Sequence, residues 1–154
     1  MLQELGTILI ENNLTISSAE SLTGGLFGAK LCEVSGISKV YQGSLVTYQD
    51  DVKINLLKVK EETINKYGAV SLECAYEMVK NVQEIFKTDI ALSFTGNAGP
   101  NPSEGKPVGL VYVGIYFLGD IEILELKLDG TREEIRNECI NSASKNILRK
   151  IKNS

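Results

Sequence analysis

Hydroxyl and cationic side chains gather in four polar segments, residues 19–25, 48–53, 95–106 and 130–136, each of which follows an apolar, strand-like run. The inventory, with a further hydroxyl in the loop Ser35-Gly36-Ile37-Ser38, is Ser21, Thr23, Ser38, Tyr48, Lys53, Thr95, Lys106 and Arg132. Histidine is absent from all 154 residues. That excludes Ser-His-Asp and Cys-His nucleophile systems and a His-rich zinc site. A hydrolytic base in this chain must therefore be a lysine, a tyrosine, a carboxylate or a bound water. Three cysteines, Cys32, Cys74 and Cys139, are widely spaced, form no CxxC pair and fall in helical patterns, so buried, reduced thiols are expected.

The stretch Ala19-Glu20-Ser21-Leu22-Thr23-Gly24-Gly25 organises the rest. Beta-prone Thr15-Ile16-Ser17-Ser18 precedes it and a helical pattern follows, so it reads as a strand-to-helix turn. Its two hydroxyls, one carboxylate and two adjacent glycines suit an anion, since free N–H groups attract negative charge and glycine admits a ligand close to the backbone. Taken singly, each candidate also has a plain structural reading. Ser38 turns a loop, Lys53 lies on a solvated helix face, Tyr48 holds its hydroxyl at the rim of the core, and Arg132 pairs with Glu133 or Asp129.

The elements that must position these residues alternate in type. Leu2, Leu5, Ile8 and Leu9 recur at helical spacing and predict a first helix ending near Asn12-Asn13. A short strand over 15–18, a helix over 23–34 and a strand over 40–48 follow. Short helices are expected around Lys53, Leu56 and Leu57 and over 61–67, then a longer one over 72–86 with Ser71 as N-cap. Residues 90–95 form a continuous apolar run, as in a strand buried on both faces. The breaker-rich loop 96–107 holds all three prolines. Strands over 108–117 and 121–128 flank a turn at Gly119-Asp120. Thr131 and Glu134 form a capping box for the last helix.

This order predicts a single three-layer α/β/α domain over 1–154 with a mixed, mostly parallel sheet. Polar segments after neighbouring parallel strands share the carboxyl edge of such a sheet, where ligands bind. An antiparallel strand would carry its segment to the far edge. A net charge of −4 argues against nucleic acid as a partner. No apolar run is long enough for a membrane, and Met1-Leu2-Gln3-Glu4-Leu5 lacks the features of a signal peptide, so a cytoplasmic location is expected.

Seven motifs occur in the order found in the C-terminal domain of the CinA family. They are Ala19-Glu20-Ser21 with Thr23-Gly24-Gly25, Gly36-Ile37-Ser38, Val46-Thr47-Tyr48 with Lys53, Tyr67-Gly68-Ala69-Val70-Ser71, Thr95-Gly96-Asn97-Ala98-Gly99-Pro100, Lys106-Pro107-Val108-Gly109 and Gly130-Thr131-Arg132. The chain thus resembles that family in its stand-alone form, associated with nicotinamide mononucleotide deamidase. Asn97 stands where the family usually has a small apolar residue, and Gly105 where it usually has Glu.

The resemblance implies hydrolysis of the carboxamide of nicotinamide mononucleotide to nicotinic acid mononucleotide and ammonia by a Ser–Lys pair. No metal or cofactor is implied. It implies Ser38 as nucleophile and Lys53 as base, with Tyr48 orienting the pair or relaying a proton. Ser21 is the other candidate, as nucleophile or oxyanion donor. Thr23, Gly24, Gly25, Thr95, Gly96, Lys106 and Arg132 would bind the substrate, with Arg136 a further candidate. A homodimer or higher homo-oligomer is also implied. The competing reading is a non-catalytic nucleotide-binding protein linked to competence or DNA damage, and a third is an amidohydrolase for another small amide.

Overall fold

The computed structural model describes all 154 residues. Helix α1 (Leu2–Glu11) leads into strand β1 (Ile16–Glu20) and the short helix α2 (Leu26–Leu31). A 3-10 turn (Ile37–Lys39) then enters β2 (Tyr41–Val46). Helices α3 (Asp50–Asn55), α4 (Glu61–Tyr67) and α5 (Leu72–Phe86) precede β3 (Ile90–Gly96). Strands β4 (Leu110–Phe117) and β5 (Asp120–Lys127) form a hairpin, and α6 (Arg132–Lys152) closes the chain.

The five strands form one mixed sheet in the order β2-β1-β3-β4-β5. The pairings β1–β2 and β1–β3 are parallel; β3–β4 and β4–β5 are antiparallel. The sheet is mixed, as expected: only β4, which returns directly alongside β3, runs against the other four strands.

Side-chain alternation along β3 separates the two faces. Ile90, Leu92 and Phe94 join the larger apolar cluster with residues of α1, α2 and α6, while Ala91 joins the smaller one with Met78, Val79 and Val82 of α5. The α5 face of the sheet is built from small residues, which lets that helix approach closely. A Cβ on Gly114 would lie 2.9 Å from the Ala75 carbonyl oxygen, and Ser93 Oγ donates to that same oxygen at 2.8 Å.

Two expected boundaries moved. The helix anticipated from residue 23 begins only at Leu26, because Gly24 (φ 56°) and Gly25 (φ 97°) take left-handed conformations that a helix interior does not use. That helix stops at Leu31, leaving Cys32 exposed, contrary to expectation; Cys74 and Cys139 are buried as free thiols. Burial pushes both of the latter up to about 12. The capping box at Thr131 and Glu134 is present, and so is the Ser71 cap on Cys74 N–H.

Strand direction decides which segments meet. β1, β2 and β3 run the same way, so residues 21–25, 47–53 and 97–101 all lie at their carboxyl edge. β4 is antiparallel, so its start, just after Lys106-Pro107, lies at that edge too. β5 reverses once more and delivers Arg132 there. Ser38 precedes β2 and lies at the opposite, amino edge.

Candidate functional site

A cavity of about 320 Å³ opens at this carboxyl edge. Ser21, Tyr48, Lys53, Thr95, Gly96 and Arg132 all line it. Its size falls in the range of small-molecule sites.

The serine and the lysine meet at one backbone atom. Ser21 Oγ donates to the Tyr48 carbonyl oxygen at 3.4 Å, and Lys53 Nζ donates to the same oxygen at 2.6 Å. Ser21 is placed by the end of β1, where its own N–H donates to Phe94 O of β3 at 2.9 Å. Lys53 reaches the cavity from the last turn of α3 and is 1% exposed. A lysine on a short helix after a strand usually points to water; here the side chain is only 2% exposed.

Burial lowers the Lys53 pKa below the ordinary lysine value, against the opposing pull of Cys74, Asp50 and Glu104. The ion pair to Asp50 is at the limit of contact, 4.0 Å, and Asp50 is solvent-exposed, so little compensates the lost hydration. Ser21 Oγ and Lys53 Nζ thus face each other across one acceptor, the Tyr48 carbonyl oxygen, rather than through a bond of their own.

Tyr48 contributes differently from expectation. Its main-chain oxygen organises the pair, whereas its side chain is 52% exposed at the cavity mouth. There its hydroxyl accepts from Arg132 Nη2 at 3.0 Å. Arg132 Nη1 donates to Gly99 O at 2.5 Å, so one guanidinium joins α6, the 97–101 loop and the α3 side of the cavity. Thr95 is buried and donates through Oγ1 to Ala69 O at 2.8 Å. Gly96 follows it at the end of β3.

Several expected site residues lie elsewhere. Ser38 is exposed in the 3-10 turn at the amino edge of the sheet and is not part of the cavity wall, so the expected pairing of Ser38 with Lys53 is not formed. Thr23, Gly24 and Gly25 are likewise outside the lining. Of the N–H groups expected to hold an anion there, Gly24 N donates to Ser21 O at 3.0 Å and Gly25 N is taken by the buried Glu20 carboxylate. Gly25 N and Phe27 N donate to Oε1 at 3.1 and 3.0 Å, and Gly28 N donates to Oε2 at 3.1 Å.

Lys106 is also committed to structure. Its ammonium donates to Tyr67 O at 2.6 Å and to Val70 O at 2.5 Å, and it pairs with Glu104 at 3.2 Å. Glu104 in turn accepts from Ala69 N at 3.0 Å and Val70 N at 3.1 Å. These two side chains clasp the 97–106 loop to the segment before α5; Glu104 lines the cavity, whereas Lys106 does not. Arg136 spends its guanidinium on Leu22 O (2.9 Å) and Thr23 O (2.8 Å).

Sequence reasoning missed Asp50, Asn97, Ala98 and Glu104 as lining residues. Asn97 is buried and braces its own loop, accepting from Gly99 N at 3.2 Å and donating to Lys106 O at 3.3 Å. The cue was available, since an amide replacing a small apolar residue inside a tight loop needs internal partners.

Known proteins share this arrangement of elements. The crystal structure of a competence-damaged protein (CinA) superfamily protein from Klebsiella pneumoniae superimposes with a TM-score of 0.94 at 31% identity, covering 100% of this chain and 99% of that one. The competence/damage inducible protein CihA from Agrobacterium tumefaciens gives 0.89 at 34% identity, covering 96% and 94%. In sequence, a CinA-like protein from Dictyoglomus thermophilum is 51% identical over 130 residues, which is 84% of this chain and 32% of that protein. The chain spans about a third of the length of the curated relatives it matches. The family model of the CinA C-terminal domain matches residues 1–151, and the chain belongs to the CinA family.

Proposed function

We propose that the chain is an amidohydrolase that uses Ser21 as nucleophile and Lys53 as general base, acting on the carboxamide of nicotinamide mononucleotide. The observation that carries this reading is the shared bond of Ser21 Oγ and a fully buried lysine to the Tyr48 carbonyl. Burial lowers the pKa of this amine, which makes it more available as a base than an exposed lysine.

In the proposed reaction, neutral Lys53 accepts the Ser21 hydroxyl proton as Oγ adds to the carboxamide carbon. The carbonyl electron pair moves to oxygen. Lys53 then returns the proton to the amide nitrogen, the C–N bond breaks, and ammonia leaves an ester on Ser21. Water repeats the sequence: Lys53 takes its proton, hydroxide adds to the ester carbon, and the C–Oγ bond breaks as Ser21 regains a proton. The product is the carboxylate. Arg132 at the mouth supplies a fixed cation for the anionic part of a nucleotide, and the polar loop 97–101 faces it.

The test is ammonia release from nicotinamide mononucleotide by the purified chain, with Ser21→Ala, Lys53→Ala and Ser38→Ala alongside. The reading expects activity in the parent and in Ser38→Ala, and loss in the other two. A parent that binds the nucleotide without releasing ammonia overturns it in favour of a binding protein.

A further inference from the structure

The backbone around Ser21 has few free polar groups. Ser21 N–H donates to Phe94 O at 2.9 Å, and Ser21 O accepts from Gly24 N at 3.0 Å. Leu22 O accepts from Arg136 Nε, and Thr23 O accepts from both Arg136 Nη2 and Leu26 N. The Glu20 carboxylate, which also accepts from Ser18 Oγ at 3.0 Å, takes the N–H groups of Gly25, Phe27 and Gly28. The N–H groups of Leu22 and Thr23 have no partner in the protein. Both residues are buried, where an unpaired N–H is rare. Leu22 lies in the cavity wall beside Ser21.

We propose that the Leu22 N–H is the donor that receives the oxyanion, and that Glu20 and Arg136 are positioning residues that aim it. The inference rests on the hydrolytic reading above. A trans peptide places its carbonyl oxygen and its N–H on opposite sides, so fixing one aims the other. The Ser21 carbonyl is fixed by Gly24 N–H, and that bond aims the Leu22 N–H. The Gly24 N–H is in turn aimed by the Thr23 carbonyl, which Arg136 holds. Arg136 thus acts on the donor through two peptide planes, while Glu20 secures the far end of the turn. The amide directly after a nucleophile is well placed for this role, because it faces the oxygen that develops charge as Oγ adds.

The test measures kcat and KM for ammonia release, together with the affinity for nicotinic acid mononucleotide, in the parent, Arg136→Lys, Arg136→Gln and Glu20→Gln. A lysine keeps the charge but cannot bridge two carbonyls with a planar fork. Both Arg136 variants are expected to lose about 10- to 100-fold in kcat, within the range for a weakened oxyanion donor, with KM and product affinity changed less than about threefold. Glu20→Gln is expected to behave the same way; if it fails to fold, the two Arg136 variants decide. An active parent with kcat unchanged in Arg136→Gln, or with KM and product affinity lost in step with kcat, overturns the inference and leaves the hydrolytic reading standing. A parent that releases no ammonia overturns both.

Discussion

Replacing Lys53 by methionine tests whether the base is neutral in the folded protein. In the unfolded chain this lysine titrates near 10.4, so at pH 7 it carries a proton. In the fold its ammonium is 1% exposed, with one distant, solvent-facing carboxylate for compensation, and burial lowers its pKa. Between the lowered pKa and about 10.4 the unfolded chain holds a proton that the folded chain does not, so the parent's stability rises with pH. Each unit of that window is worth about 1.4 kcal/mol. Methionine has a similar volume, no proton and no such slope. The variant loses the bond to Tyr48 O, a constant cost of about 1–3 kcal/mol for a donor of this kind. The quantity to follow is the difference in unfolding free energy between variant and parent, by urea titration at intervals from pH 7 to pH 10. Other titrating groups are common to both proteins and cancel; Cys74, the thiol coupled to Lys53, is pushed up to about 12 and stays neutral throughout. The variant is expected to be most favoured relative to the parent at pH 7 and to lose that advantage as pH rises from the lowered pKa toward about 10.4. Ammonia release should be abolished at every pH. A difference that does not vary with pH would mean that Lys53 is protonated in the fold with an ordinary pKa, and the base assignment would fail.

Three further substitutions probe the cavity and its supports. Arg132→Ala removes a guanidinium bonded to Gly99 O and Tyr48 Oη; at about 1.5–3 kcal/mol for charge-assisted bonds, KM should rise roughly 10- to 100-fold in steady-state assays, and an unchanged KM would remove Arg132 from substrate binding. Gly68→Ala places a Cβ against the Glu104 carboxylate at a residue with φ 83°, so thermal unfolding should fall by on the order of 5 °C as the 97–106 clasp is forced open; an unaltered Tm would contradict the clasp. Thr131→Ala removes the capping box that starts α6 one residue before Arg132; a loss of about 1 kcal/mol, or about 2–4 °C in Tm, is expected, and a loss near zero would show that α6 is held by packing alone.

Periodicity made much of the fold readable. The apolar stripes of α1, α5 and α6, the two-sided run of β3 and the alternation of β5 each have one physical explanation, and each element formed where its pattern placed it. The turn at 21–25 was readable as a turn but not as a closed one. A carboxylate at the end of a strand carries no mark in sequence that it will fold back onto three N–H groups; that depends on Gly24 and Gly25 both adopting positive φ.

The two serines show where reading along the chain gives out. Ser38 lies 15 residues before Lys53 and Ser21 lies 32 before it, so nearness in sequence favours the wrong partner. Between Ser38 and Lys53 runs the whole of β2, which carries the chain from one edge of the sheet to the other. Between Ser21 and Lys53 the chain leaves the carboxyl edge through α2 and returns along β2, parallel to β1, to the same edge. The register sets Glu20 opposite Val46, and one residue further on Thr47 N donates to Glu20 O at 2.9 Å. Ser21 and Thr47 are therefore the first residues beyond two paired strand ends, and Tyr48, the next residue, brings its carbonyl oxygen to Ser21 Oγ whatever their separation in sequence. Strand pairing, not spacing, decides which serine meets Lys53. The same logic places Arg132: only because β4 and β5 each reverse direction does the start of α6 arrive at the edge where Ser21 and Lys53 already stand.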